Sequence, residues 1–269
     1  MLWGERTYVM GILNITPDSF SGDGTGENVY DAVAKGIRFE KEGADILDVG
    51  GMSTRPRSIY GSVDDVSDEE EIARVIPVIK SLTSEVQVPI SIDTFRSSVA
   101  LAALSAGATF VNDIWGFKKD PCMASVVAES GVHVVLMHNT DQPKYGDVVS
   151  DVITDLKNTV DKAAALGVDP SKIIIDPGIG FAKDSLQNIE IIRRLDEFKK
   201  LGYPILVGTS RKSTIGKVLD LPVDQRLEGT AATVTLSIAN GADVVRVHDV
   251  KEMSRVVTMT DAIVRGWDG

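Results

Sequence analysis

Polar residues end the apolar runs of this sequence, and their types could recognise a heterocycle and hold an anion. Eight short apolar runs each lead into polar or glycine residues: Asn14, Asp48, Asp93, Asn112 with Asp113, His138, Asp176, Gly208 to Ser210, and Arg246 with His248. Any one of these residues could cap the helix that follows, since Asp and Asn often do so. The same pattern at eight positions favours a shared polar site.

The polar residues form two chemical groups. Asp93, Asn112 and Asp176 offer carboxylate and amide groups that can pair with the several N–H donors of a flat heterocycle. The second group could hold a phosphate or pyrophosphate by positive charge or as a neutral ligand. Its members are Asn14, Arg55, Arg211, Lys212, Arg246 and His248. Ser213, in the segment GTSRKSTIG (208–216), stands at a predicted helix start, where free backbone N–H groups bind anions.

Two long glycine-bearing segments follow the first and second apolar runs. They are NITPDSFSGDG (14–24) and GGMSTRPRSIYG (50–61). Long loops in compact domains are often functional lids. Both segments carry Ser, Arg or Asp rather than neutral spacer residues, which favours lids over passive surface loops.

The eight apolar runs are typical of strands in a parallel sheet. Continuous runs of Val, Ile and Leu suit strands that are covered on both faces. The predicted strands are 9–14, 45–50, 89–93, 109–113, 132–138, 172–176, 203–208 and 243–248. Helical patterns lie between them, and those over 96–108, 186–202 and 225–242 end at or next to Gly, a helix stop signal.

This alternation predicts an α/β fold, a single (β/α)₈ TIM barrel over residues 1–269 with long βα loops 1 and 2 over its C-terminal face. In such a barrel the carboxyl ends of all strands meet at one mouth, so the polar residues would converge there. A doubly wound sheet is the alternative. It usually shows a GxGxxG turn after the first strand, and the segment 14–24 lacks that spacing. No linker or composition break divides the chain.

Composition limits the class of protein and of partner. The chain has 269 residues, 28 Lys and Arg, 39 Asp and Glu, a net charge of −11 and 43% hydrophobic residues, which excludes a disordered or fibrous chain. The acidic balance argues against nucleic acid or an anionic membrane as partner. Six of the acids lie in DDVSDEEE (64–71), which predicts a solvated helix start. An anionic substrate remains possible because the predicted mouth is locally basic.

The sequence predicts a cytoplasmic location. One cysteine, Cys122, cannot form an internal disulfide and fits a reducing cytosol. No apolar run approaches the roughly 20 residues of a membrane span. The N-terminal stretch has no charged region ahead of its apolar part, so it is not predicted to be a signal peptide.

Nine segments resemble, in order, the motifs of the dihydropteroate synthase family. They are LNITPDSFSGDG, GGMSTRP, PISIDTF, VNDIWG, MH, DPGIGFAK, GTSRKSTIG, RLEGTAA and VRVHDV, and they span residues 9–250. The resemblance implies a (β/α)₈ barrel and a transferase. That enzyme would join 6-hydroxymethyl-7,8-dihydropterin pyrophosphate to 4-aminobenzoate, giving 7,8-dihydropteroate and pyrophosphate in folate synthesis. It also implies Mg²⁺ as cofactor, inhibition by sulfonamides and a homodimer.

The same resemblance implies residue roles. The pterin would contact Asp93, Asn112, Met137, Asp176, Phe181, Gly208, Lys212 and Arg246. The pyrophosphate would contact Asn14, Arg246 and His248, and Asn14 would also bind Mg²⁺. The 4-aminobenzoate would contact Phe20, Thr54, Arg55, Pro56, Lys212 and Ser213. The implied catalytic residues are Asp93, Asp176, Lys212, Arg246 and His248, which would stabilise the pterin cation and the departing pyrophosphate.

The loops depart from the family pattern, which keeps other functions open. Met52 stands where the family commonly has Glu, and Gly22 precedes Asp23 where Asp-Gly-Gly is frequent, so Asp23 is only a candidate loop residue. One alternative is a catalytically silent pterin-binding relative. Another is a methyltetrahydrofolate-type methyltransferase, in which Lys212 and Ser213 would have no obvious use. A Schiff-base aldolase that uses Lys212 is the third.

Overall fold

The computed structural model describes residues 1–15, 25–52 and 66–267, with the backbone alone described over 25–28. Most of the two predicted lid loops therefore lies outside the described residues. So do five of the predicted loop residues, namely Phe20, Asp23, Thr54, Arg55 and Pro56. The strands, and the helices that follow the third to eighth strands, are described in full.

Eight parallel strands form the barrel that the sequence predicts. They are β1 (Tyr8–Asn14), β2 (Ile46–Gly50), β3 (Ile90–Asp93), β4 (Phe110–Asp113), β5 (His133–Met137), β6 (Ile173–Asp176), β7 (Leu206–Val207) and β8 (Val244–Val247). The hydrogen-bonded order is β6-β5-β4-β3-β2-β1-β8-β7. A single parallel bridge between Ile175 and Ile205 joins β6 to the start of the β7 segment and closes the ring. The prediction of a (β/α)₈ barrel is confirmed.

Helices connect the strands. Within the described residues they are α1 (Thr25–Lys41), α2 (Asp68–Glu85), α3 (Ser97–Ser105), α4 (Met123–Ser130), α5 (Val148–Ala165), α6 (Ser185–Arg193), α7 (Ser213–Leu219), α8 (Leu227–Ala239) and α9 (Val250–Val264). The single helix predicted over 186–202 is wrong, because α6 ends at Arg193 and a 3₁₀ helix, Leu195–Leu201, follows. None of the described helices is long and apolar enough to cross a membrane.

The barrel interior is filled by alternate strand residues at its amino-terminal end. Because side chains alternate along a strand, each strand sends every second residue to the barrel axis. The interior cluster consists of Tyr8, Met10, Ile46, Phe110, Val135, Ile174, Leu206 and Val244, with Trp3 packed against it. His133 stacks on Phe110 with 4.6 Å between ring centroids, so it is a packing residue. This filled end leaves the carboxyl end for a ligand.

Helix α2 begins within the acidic run that the sequence predicts as a helix start. Ser67 accepts the backbone N–H of Glu70, and the Glu70 side chain accepts that of Ser67, which completes a capping box. The prediction that the whole run is solvated is wrong for Glu71. Its side chain is fully buried and pairs with Arg96 at 2.9 Å, and burial raises its pKa. Glu71 thus ties α2 to the segment that leads from β3 into α3.

Candidate active site

The strand register brings the predicted polar residues to one end of the barrel. Asp93 of β3 lies opposite Asn112 of β4, and Met137 of β5 lies opposite Asp176 of β6. All four side chains are buried, each with an exposed fraction of 6% or less. Since these strands are parallel, the four residues share the carboxyl edge of the sheet.

Arg246 of β8 joins this group through two carboxylates. Its Nε lies 2.6 Å from Oδ2 of Asp48, and its Nη2 lies 2.5 Å from Oδ2 of Asp93. Asn112 donates from Nδ2 to the same Asp48 oxygen at 3.1 Å. Four strands are therefore linked by one buried polar network. The sequence pattern places Asp48 at the end of an apolar run and assigns it no role, whereas in the structure it is the middle residue of β2 (Ile46–Gly50).

Burial controls the charge of this network. Burial raises the pKa of Asp93 to about 7, and the charges of Asp48 and Glu71 add to the increase, while Arg246 opposes it. Burial by itself would lower the pKa of Arg246, but Asp48 and Asp93 hold it above its ordinary value. The buried Oδ1 atoms of Asp48 and Asp93 have no hydrogen-bond partner in the described part of the chain. They are acceptors suited to N–H groups of a ligand.

Asp176 ends β6 and begins the loop 177–183, which leads into α6. Its Oδ1 accepts the backbone N–H of Gly178 at 2.7 Å, and burial raises its pKa to about 6. Farther along the loop, the ring of Phe181 lies 4.2 Å from Nζ of Lys212. A Cβ on Gly180 would lie 2.9 Å from Cδ of Lys212, so the lysine stem passes close to the loop backbone. The loop thereby connects Asp176 with Lys212.

The turn between β7 and α7 presents Lys212 and Ser213. Arg211 has a φ of 58°, a left-handed conformation that is strained for a residue with a side chain. Contacts on several sides hold this turn: Arg226 donates to the carbonyl oxygens of Arg211 and Lys212 at 3.0 and 3.4 Å. Arg211 also forms an ion pair with Asp249. The sequence motif RLEGTAA contains Arg226, but its pattern gives no sign of this contact.

His248 is neutral in this site. Burial lowers its pKa to about 3, and the positive charges of Arg246, Arg211 and Lys212 add to the decrease. Its Nδ1 lies 3.0 Å from Oγ of Ser210. These surroundings oppose the positive charge that the sequence predicts for His248, because a buried imidazole beside cations binds a second proton only at low pH. It can still donate one N–H group.

The described part of the mouth is less basic than the sequence predicts. The charge of Arg246 is balanced by Asp48 and Asp93, and that of Arg211 by Asp249. The sequence does not show these ion pairs between distant segments, so the number of cations alone suggests a larger positive charge than the mouth carries. Gly208, which follows β7, lies beside Arg246: a Cβ built on the glycine would lie 3.8 Å from Cβ of Arg246.

Asn14, at the end of β1, is half-buried and borders the same network. A Cβ placed on Gly50 would lie 3.7 Å from Asn14 Oδ1 and 3.7 Å from Asp93 Oδ2, so the two groups flank this glycine. No group of three or more His, Cys, Asp or Glu residues that could hold a metal occurs among the described residues. Mg²⁺ is often held by one or two carboxylates, several waters and substrate phosphates, and the amide oxygen of Asn14 would add a neutral oxygen ligand. Asn14 fits that mode of binding.

Two other strand-end residues have different roles from the central group. Asp113 accepts the backbone N–H groups of Trp115 and Phe117 at 2.8 and 2.7 Å, so it stabilises the turn after β4. Nδ1 of His138 lies 2.8 Å from Nζ of Lys183. Lys183 belongs to the motif DPGIGFAK, and the sequence gives no other indication of its role. Asp113 thus has a local role in the loop, and it caps no helix, because α4 begins only at Met123.

Comparison with known proteins identifies relatives over nearly the whole chain. The family model described as pterin binding enzyme matches residues 10–248. The dihydropteroate synthase of Bacillus subtilis is 52% identical over 264 residues, which is 97% of this chain and 90% of that protein.

Solved structures agree with this relationship. The crystal structure of a Clostridium difficile dihydropteroate synthase in the presence of pteroic acid superposes with a TM-score of 0.94 at 51% identity, covering 98% of this chain and 99% of that one. A Xanthomonas albilineans dihydropteroate synthase with 4-aminobenzoic acid superposes with a TM-score of 0.90 at 42% identity, covering 96% and 93% of the two chains.

Proposed function

Because the chain belongs to the dihydropteroate synthases of the pterin-binding enzyme family, we propose that it joins 6-hydroxymethyl-7,8-dihydropterin pyrophosphate to 4-aminobenzoate. The enzyme is a transferase, and its products are 7,8-dihydropteroate and pyrophosphate. The observation that carries the proposal is the buried set of Asp93, Asn112 and Asp176 at the barrel mouth, with Lys212 above Phe181.

The pterin half of the site uses these buried groups as hydrogen-bond partners. The pterin ring presents several N–H donors on one edge, and Asp93 offers a buried Oδ1 without a partner among the described residues. The amide of Asn112 and the carboxylate of Asp176 complete the set. Met137, Phe181 and Gly208 form the remaining contacts of the ring. An unpaired buried acceptor costs about 1–3 kcal/mol, and a ligand N–H group that binds it removes that cost.

Cleavage of the pterin C–O bond precedes attack by the amine. The electron pair of that bond leaves with the pyrophosphate, and the positive charge spreads into the pterin ring. The carboxylates of Asp93 and Asp176 favour this cation electrostatically. The amine nitrogen of 4-aminobenzoate then forms the new C–N bond and releases a proton. Water must be kept from the site during this step, because it would otherwise capture the cation.

Arg246 and His248 stabilise the departing pyrophosphate as donors. A guanidinium has five N–H groups, and Asp48 and Asp93 use only part of them, so Arg246 keeps donors for an anion and a planar face for the pterin. The neutral His248 contributes one N–H. Asn14 would hold Mg²⁺, which supplies positive charge to the pyrophosphate when bound.

The aminobenzoate half of the site lies beside Lys212. Lys212 contacts both substrates, and Ser213 binds the carboxylate of 4-aminobenzoate. Phe20, Thr54, Arg55 and Pro56 complete this half, and they belong to the loops outside the described residues. This assignment follows from the family motifs, and Lys212 connects it to the described barrel.

The cytoplasm is the proposed location and a homodimer the proposed assembly. The one cysteine, Cys122, is exposed next to the start of α4, which fits a reducing compartment. The homodimer follows from family membership and is tested by the molar mass of the purified protein in solution.

A steady-state assay with both substrates and Mg²⁺ tests the proposed activity. We expect dihydropteroate and pyrophosphate to form in equal amounts, only when both substrates are present. Excess EDTA should stop the reaction, added Mg²⁺ should restore it, and a sulfonamide should compete with 4-aminobenzoate. Pterin binding without product would instead indicate a silent relative. A borohydride-trapped carbonyl adduct at Lys212 would indicate an aldolase, and methyl transfer from methyltetrahydrofolate would indicate a methyltransferase.

A further inference from the structure

Lys183 lies at the end of the loop 177–183 and has no part in the reaction proposed above. Its Nζ lies 2.8 Å from Nδ1 of His138, 3.1 Å from the carbonyl oxygen of Gly178 and 3.0 Å from that of Phe181. Burial lowers the pKa of Lys183 to about 7, and the charges of Asp176 and Asp155 oppose that decrease. In its ammonium form the group has three N–H donors, and these three acceptors can use all of them. Two contacts close the loop on itself, and the third attaches it to the segment after β5.

His138 is suited to be the acceptor of the third contact. Burial lowers its pKa to about 2, and the positive charges of Lys183 and Lys118 add to the decrease, so the imidazole is neutral. With Nε2 protonated, Nδ1 is free to accept from the lysine. The backbone N–H of His138 donates to the carbonyl of Asp176 at 2.9 Å, which fixes this acceptor relative to β6.

The loop backbone is one that needs such support. Gly178, Gly180 and Ala182 all have positive φ, at 72°, 81° and 50°. A Cβ on Gly178 would lie 2.1 Å from the carbonyl oxygen of His138, so the loop is pressed closely against the end of β5. The positive φ of Ala182 costs of order 1 kcal/mol, because an alanine side chain disfavours the left-handed region. Conformations of this kind persist where surrounding contacts determine them.

The loop is also directly connected to the pterin half of the site. Its Gly178 N–H binds Oδ1 of Asp176, and its Phe181 ring lies beneath the ammonium of Lys212. A change in the path of the loop would therefore move one substrate-binding ring and change the hydrogen bonding of one carboxylate. No hydrogen bond joins Lys183 to Asp176 in the described residues, although their opposite charges attract one another.

We propose that Lys183 is a positioning residue for pterin binding: its ammonium fixes the loop 177–183 against His138 and so sets the places of Phe181 and Asp176. The inference rests on the proposed function, since it concerns the pterin half of that site. Lys183 acts through the loop and touches no substrate.

The test compares pterin binding in variants that remove and then restore the ammonium. Lys183→Met keeps the length of the stem and removes all three donors. A second variant, Cys122→Ser with Lys183→Cys, is measured before and after alkylation with 2-bromoethylamine, which rebuilds an ammonium of lysine length. Binding of 6-hydroxymethylpterin is measured by calorimetry, and folding is checked by circular dichroism. Lys157→Met is the matched control, because Lys157 is exposed and pairs with Asp161 on the same helix.

We expect Lys183→Met and unalkylated Lys183→Cys to weaken pterin binding about tenfold or more, since the loss of charge-assisted hydrogen bonds is large. Alkylation should restore most of the lost affinity for the pterin. A general defect in folding would not be repaired by this change. The control should bind as the unchanged protein does. Unchanged binding in either unalkylated variant, or no recovery on alkylation, would overturn the proposal. Absence of pterin binding in the unchanged protein would instead contradict the proposed function.

Discussion

The buried network at the barrel mouth gives its clearest prediction for the substitution Asp48→Asn. Asp48 is fully buried, and its Oδ2 accepts from both Arg246 and Asn112. Removing one partner of a buried ion pair outright costs roughly 3–5 kcal/mol. An asparagine keeps an oxygen that accepts from Arg246, and Asp93 still balances the guanidinium. We therefore expect the free energy of unfolding to fall by a smaller amount, about 2 kcal/mol, which is typical of losing a hydrogen bond to a charged group.

Thermal and urea unfolding measure this loss. For a chain of this size, about 2 kcal/mol lowers the melting temperature by roughly 4–8 °C. Asp161→Asn is the matched control, because Asp161 is exposed and pairs only with Lys157 among the contacts described. A change at such a site is usually within about 0.5 kcal/mol. Equal stabilities of the two variants would show that the buried contacts of Asp48 do not stabilise the fold.

The same substitution has a second consequence, on the pH dependence of pterin binding. The charge of Asp48 contributes to raising the pKa of Asp93 to about 7. If ionised Asp93 binds the pterin, affinity falls as the pH drops through that value. Without the Asp48 charge, the pKa of Asp93 falls, and the loss of affinity shifts to lower pH by about one unit. Calorimetric measurement of pterin affinity from pH 5.5 to 8.5 gives the pH midpoint of this loss. An unchanged or higher midpoint in Asp48→Asn would contradict the role given to the charge of Asp48.

Three further predictions concern other residues of the site. Asp176→Asn should weaken pterin binding about tenfold, because the single amide oxygen already accepts from Gly178, and an unchanged dissociation constant would contradict this. Lys212→Ala should reduce turnover at least about tenfold if it contacts both substrates, and near-normal turnover would rule that role out. His138 and His248 should stay neutral down to pH 5 in NMR spectra of the histidine rings. Protonation of either above pH 5 would show that burial does not control their pKa values.

The barrel could be predicted from sequence because each strand carries its own signal. Val, Ile and Leu runs such as Ile173–Ile175 are apolar on both faces. Because parallel strands share one direction, the polar residues that end these runs meet at one end of the barrel. The predicted strand 203–208 is shorter in the structure. Only Leu206–Val207 form a ladder there, since β7 contacts β6 through one bridge.

The pairing inside the site could not be predicted in this way. Arg246 and Asp48 are 198 residues apart, and their contact depends on the order in which the strands close. The neutral state of His248 depends on burial and on four neighbouring cations. The sequence pattern places three of these cations at the same mouth, but it does not show how deeply the imidazole is buried. Lys183 belongs to a recognisable motif, but its three acceptors are defined only by the path of the loop.

A crystal structure with 6-hydroxymethylpterin bound tests the central claim, that the polar strand ends form the pterin site. We expect the ring at the carboxyl end of the barrel, hydrogen-bonded to Asp93, Asn112 and Asp176, with Lys212 and Phe181 beside it. A pterin bound elsewhere, or one whose N–H edge faces away from these three side chains, would contradict it.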